Sequence, residues 1–151
     1  MVEPIKKMID VPCDPHKAFA IFTENMTDWW PLEANTVSAM SGGVAQSVAI
    51  EPKVGGQVYE IKADGTREDW ARVKSYRPGE LLALAWHVMT PEDQATEVEI
   101  RFIAIDSGTR VELTHTGWQA MGEAAQARRD SYNSGWVRVF EERFAGACAA
   151  G

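Results

Sequence analysis

The sequence has no closely spaced cysteine pair. Its two cysteines, Cys13 and Cys148, stand near opposite ends without a CxxC or CxxxC neighbour, so zinc-ribbon and thioredoxin-type chemistry have no ligands. Two unpaired thiols fit a reducing compartment. His16, His87 and His115 share no metal-ligand spacing, and nothing in the sequence points to a metal or a cofactor. Clustered Lys and Arg are missing too. With a formal charge of −7, the chain lacks the basic patch that nucleic acid or an anionic membrane surface demands. The opening MVEPIKKMID carries two lysines but no apolar run behind them, and no uninterrupted apolar stretch of about 20 residues appears anywhere. A soluble, cytoplasmic protein is expected. No internal repeat or linker divides the chain, so residues 1–151 read as one domain, long enough to bury roughly 70% of its unfolded surface.

Tryptophan is not scarce. The six tryptophans outnumber the five phenylalanines and three tyrosines, which puts unusually large flat side chains at the disposal of a core or a ligand. Two of them are adjacent, in TDWWPLEANT, and on a helical turn neighbours point about 100° apart. Trp29 and Trp30 therefore cannot bury against the same surface. The expectation is that one ring packs on the sheet or the C-terminal helix and the other lines a cavity mouth, because Pro31 ends the turn. The stretch LEANTVSAMSGG reads as a loop long enough to serve as the lip of a site.

Around this pair the chain reads as a strand at Ile5–Val11, a helix capped by Asp14-Pro15, a second short helix or turn, and six strands between Gln46 and Thr116 separated by turn signals. A helical tail runs from about Gly122 to Ala147, with Tyr132, Trp136, Phe140 and Phe144 four apart. Short links between successive strands favour an antiparallel meander. The resulting class is α+β, a curved antiparallel sheet of about seven strands around a long C-terminal helix.

Strand alternation places His115 on the apolar face with Val111 and Leu113. Closing the Arg77–Glu80 hairpin with Tyr76 opposite Leu81 sets Trp86 inward, opposite Ala71, and His87 outward. Closing Asp64-Gly65 as a two-residue turn pairs Glu60 with Asp69 and Val58 with Ala71, so both carboxylates fall on the inner face. An ionised carboxylate there needs a cation, a wet cavity or a raised pKa. The plainer alternatives are a one-residue slip that turns both carboxylates outward, a core histidine hydrogen-bonded to backbone, and an aromatic stripe that is helix packing alone. Gly135, inside a helix, hints that another group passes close to it.

The segments VPCDPHKAFAIFTENMTDWWP, IEPKVGGQVYEIKADG, DWARVKSYRPGELLALAWH and GTRVELTHTGW, with the late YNSGW, resemble bacterial proteins of the family named for the C-terminal domain of the heat-shock-protein-90 ATPase activator, within the START-like, helix-grip (SRPBCC) superfamily. The resemblance covers essentially the whole chain. It implies a helix-grip fold that holds hydrophobic small molecules between sheet and helix; some members are cyclases or dehydratases, and many have no assigned activity. The chaperone-activating role belongs to a eukaryotic protein with an extra N-terminal domain for which this chain has no room. Where relatives often carry Trp-Gly before the valine of the fourth strand, this chain has Trp70-Ala71.

Three functions are compatible with these readings. In the first, a small, largely hydrophobic ligand occupies a cavity lined by Trp29 or Trp30 with Glu60, Asp69, Trp86, His115, Trp118, Tyr132 and Trp136. In the second, Tyr59, Trp70 and His87 form an outer aromatic patch for a partner or a homodimer. In the third, Glu60 or Asp69 works with His115 as the acid–base pair of a cyclase or dehydratase.

Overall fold

The computed structural model describes residues 2–151. Strand β1 (Ile5–Val11) leads into helix α1 (Pro15–Glu24), whose first turn is closed by the Asp14 carboxylate accepting from the Lys17 amide at 2.9 Å. Pro15 at the first helical position costs nothing, since its missing N–H would have had no helical partner. Helix α1 buries Ala18, Phe19, Ile21 and Phe22. The one-turn helix α2 (Met26–Trp29) follows. The stretch expected to be wholly loop contains a further turn of helix, α3 (Val37–Met40), capped by the Thr36 hydroxyl, which accepts from the Ala39 amide at 3.1 Å.

Six strands come next: β2 (Ser47–Ile50), β3 (Gln57–Ile61), β4 (Arg67–Arg77), β5 (Leu81–Trp86), β6 (Thr96–Ile105) and β7 (Gly108–Thr116). Each pairs antiparallel with its sequence neighbour and β1 adds to β7, giving one seven-stranded sheet in the order β1-β7-β6-β5-β4-β3-β2. This is the meander that the short links favour. After a 3₁₀ turn (Trp118–Ala124) broken at Gly122, the C-terminal helix runs as α4 (Ala125–Trp136), a π-helical stretch (Val137–Phe144) and α5 (Ala145–Ala150). At the end of the wide turns the Ala145 amide reaches the Phe140 carbonyl, five residues back, and the rings of Phe140 and Phe144 stack 5.9 Å apart at 15°.

Between helix and sheet the core is filled by Leu82, Ile100, Leu113, Phe140 and Phe144, all fully buried. Each such side chain contributes about 1.5–3 kcal/mol by leaving water. The two cysteines, distant in sequence, meet in this fold. Burial, with Cys13 beside it, pushes the Cys148 thiol well above the ordinary range, and both remain free.

Strand β4 departs from the simple pleat twice. The turn before it holds three residues rather than two: the Lys62 amide donates to the Thr66 carbonyl at 2.8 Å, and Gly65 takes the left-handed φ of +87° that closes the turn. Glu60 therefore pairs with Glu68 and Tyr59 with Asp69, one residue away from the two-residue expectation. A β-bulge at Trp70 then restores the expected Val58–Ala71 pair, and Trp70 and Ala71 both end up buried, although they are consecutive. At the other end Tyr76 pairs with Leu82 rather than Leu81, and a second irregularity at Lys74 returns Ala71 to Trp86 as expected.

Candidate functional site

Beneath the segment Trp30–Met40, between α4 and the strands β4 and β5, lies an open-mouthed cavity of about 230 Å³. Its walls are Trp30, Trp70, Trp86 and Trp136 with Tyr132, and its lip is Asn35, Thr36 and Met40. The rings touch in a continuous cluster: Trp30 to Trp70 at 5.1 Å, Trp70 to Trp86 at 6.0 Å, Trp86 to Trp136 at 5.6 Å. Trp86 and Tyr132 are also joined by a hydrogen bond, the indole N–H donating to the phenol oxygen at 3.0 Å. Burial pushes the Tyr132 hydroxyl above its usual range, so it stays protonated.

The rings of the adjacent tryptophans touch, with centroids 5.7 Å apart, but their other neighbours differ. Trp29 turns toward α1 and the C-terminal helix, its ring 5.0 Å from Phe22 and 5.2 Å from Phe144, with its N–H donated to the Ile21 carbonyl. Trp30 turns the other way, lines the cavity and donates to the Asn35 backbone carbonyl at 2.8 Å, which ties the lip down. Five of the six indole N–H groups find an acceptor in this way. The exception is Trp70, whose N–H is buried without a partner among the described residues, as is the side-chain oxygen of Asn35. Both residues line the cavity. Asn35 also accounts for Gly135, since a Cβ on that glycine would lie 3.3 Å from the Asn35 amide nitrogen.

Glu60 is fully buried, yet it does not line the cavity. One carboxylate oxygen accepts the Val37 amide at 2.7 Å, and the other accepts the Ser38 amide at 3.0 Å and the Ser38 hydroxyl at 2.6 Å. Ser38 Oγ in turn accepts the Ala63 amide at 3.0 Å. Glu60 is thus a latch that holds α3, and with it the lip, to the sheet. Asp69 is on the outer face, contrary to expectation, because the three-residue turn shifts it by one position; there it bonds Arg67 at 2.7 Å. The outer aromatic patch is overturned by the bulge. Trp70 is 1% exposed and belongs to the cavity wall, His87 is 7% exposed and hydrogen-bonded to Gln57 at 3.1 Å, and Arg67 lies 4.0 Å over the Tyr59 ring.

His115 is a core histidine with both ring nitrogens occupied. Trp136 donates its N–H to Nδ1 at 3.1 Å, which leaves the ring proton on Nε2 to be donated to Thr96 Oγ1 at 2.7 Å. Trp118 lies against the ring, centroids 4.2 Å apart, and donates to the His115 carbonyl. Neither His115 nor Trp118 lines the cavity. Burial pushes the His115 pKa down from 6.5 to about 3. The native state therefore resists a proton that the unfolded chain accepts below pH 6.5, and stability falls as pH drops through that window. The carboxyls of Asp10 and Glu33, hydrogen-bonded to Arg110 and Arg143, are held below their usual range. Urea unfolding should show about 2 kcal/mol less stability at pH 5 than at pH 7. His115→Gln should flatten that difference, and an unchanged slope would refute the assignment.

Asn35 and Met40 fall in the stretch read from the sequence as the lip, whereas Arg128 and Ser131 were missed. Met40, 68% exposed, caps the lip, and Arg128 lies at the rim. Gly135 carried a further signal toward Asn35, and nothing in the sequence pointed to Arg128. Among the described residues no helix is long and apolar enough to cross a membrane, and no three His, Cys, Asp or Glu side chains converge on a metal position.

Solved structures share this architecture over almost the full chain. An anthrahydroquino-γ-pyrone synthase, Txn09, superposes with a TM-score of 0.68 and 29% identity, covering 97% of both chains. The AHSA1-like protein from Aeromonas hydrophila gives 0.64 at 14% identity over 96% of this chain and 91% of its own. DynU16, a putative protein of the dynemicin biosynthetic locus, gives 0.69 at 14% identity over 97% of this chain and 47% of its own. No curated protein sequence matches. The family model described as activator of Hsp90 ATPase homolog 1-like protein matches residues 12–148, most of the chain, so the protein belongs to that family.

Proposed function

We propose that this protein binds a small, largely hydrophobic molecule in the cavity between its sheet and its C-terminal helix. The observation that carries this reading is the cavity wall itself: four indole rings and a phenol converge on one space, and the residues of the lip are held over it by Glu60 and Trp30. Concave apolar sites with a few placed polar groups are the usual form of a ligand pocket. The Trp70 N–H and the Asn35 side-chain oxygen, on residues of the wall and the lip, are buried without a partner among the described residues, at a cost of about 1–3 kcal/mol each. The 29% identical synthase of an anthrahydroquino-γ-pyrone supports an aromatic ligand.

An acid–base enzyme built on Glu60, Asp69 and His115 finds no support in the geometry. One carboxylate is engaged three times under the lip, the other is outside, and the imidazole is committed on both nitrogens. The test is a panel of hydrophobic and aromatic metabolites followed by tryptophan fluorescence and thermal melting. A ligand at 100 times its dissociation constant should add about 2.7 kcal/mol of stability and quench or shift the clustered tryptophans. A panel that moves neither signal would count against binding.

A further inference from the structure

The cavity is graded in polarity along one face of α4. Arg128, Ser131, Tyr132, Gly135 and Trp136 follow at intervals of three and four, so they share a face, and all of them border the cavity. Arg128 and Ser131 are exposed, Tyr132 is half-buried and Trp136 is buried. Cation and hydroxyl therefore stand at the mouth and indole stands inside. Arg128 is the one charged residue among the fourteen that line the cavity.

Its lack of a partner is unusual in this chain. Seven of the nine arginines make ion pairs, and the chain offers 22 acidic side chains to pair with. Arg128 makes neither an ion pair nor a side-chain hydrogen bond among the described residues. The Tyr132 hydroxyl accepts from Trp86, and its own proton is therefore available to donate. Guanidinium and serine hydroxyl thus gather donors at the rim, with the Tyr132 phenol below them and no carboxylate in the lining.

Resting on the reading that the cavity binds a hydrophobic molecule, we infer that its ligand is a small aromatic carboxylate. Its ring lies among Trp30, Trp86 and Trp136, and its carboxylate faces Arg128 at the mouth. Size agrees with one or two fused rings: a cavity of about 150 Å³ takes benzene, and drug-sized sites begin near 300 Å³. The planar fork of an arginine matches a carboxylate with two parallel hydrogen bonds.

The experiment compares 2-naphthoate with its neutral isostere 2-naphthamide by calorimetric titration, against the wild type and Arg128→Gln, at low and high salt. Arg128 is exposed, so the variant should keep the native circular dichroism and melting temperature. Naphthoate should bind the wild type roughly fivefold more tightly than naphthamide, as for an ion pair open to solvent on one side. That preference should shrink with salt and vanish in Arg128→Gln, while naphthamide affinity stays the same. Equal affinities in the wild type, or a preference that survives the substitution, would overturn the carboxylate assignment and leave a neutral hydrophobic ligand standing. If neither compound binds, the aromatic-binding reading falls with it.

Discussion

Trp29→Ala should lower the stability of the fold by about 3–5 kcal/mol, whereas Trp30→Ala should cost about 1–2 kcal/mol less. Both rings are almost fully buried, at 4% and 5% exposure, so burial alone does not separate them. What separates them is the space each leaves behind. Removing the Trp29 ring opens a closed void between Phe22 and Phe144, and the cost of such a void grows with the volume that fails to collapse. Removing the Trp30 ring enlarges a cavity that already opens to water, so part of the void fills with solvent. Trp30→Ala also releases the Asn35 carbonyl from the lip, and ligand affinity should fall with it. Denaturant unfolding of the two variants checks the order; equal losses would show that Trp30 is as structural as Trp29.

Glu60→Ala should be nearly as damaging, at about 3 kcal/mol, because three donors lose their acceptor together: the Val37 and Ser38 amides and the Ser38 hydroxyl. The chain can escape this cost by swinging α3 into water. Part of the loss should therefore show as local opening of the lip rather than as global unfolding. Hydrogen exchange at Val37 and Ser38 registers both routes, and their protection should drop roughly a hundredfold. Glu60→Gln should be milder on the Val37 side and worse at Ser38, where an amide NH₂ would confront an N–H and an O–H. Unchanged exchange at these two amides would mean that the latch does not hold the lip.

Much of this was legible in the sequence. Asp14-Pro15 marks the start of α1, the turn signals mark every link of the meander, and alternation in β6 and β7 places His115 inside, where it is found. The facing of Glu60, Asp69 and Trp70 was less accessible. An Asp-Gly pair serves a two-residue and a three-residue turn equally well, and a bulge leaves no mark on the residue types around it. Trp86 was placed correctly opposite Ala71 because two register errors in β4 cancel. Arg128 was missed for a different reason: an arginine on a helix looks alike in sequence whether its neighbours are acids or an open cavity.

The pairing of β1 with β7 bears on how the chain folds. Every other strand pairs with its sequence neighbour across a short link, but Asp10 meets Arg110 a hundred positions away. A hairpin forms in about 1–10 μs, and closing a hundred-residue loop carries an entropy that only the finished pairing repays. The strands from β2 to β7 can assemble in sequence, each using the one before it as a template. The seventh place in the sheet stays open until the first strand of the chain returns to fill it. This order makes β1 the late step of folding.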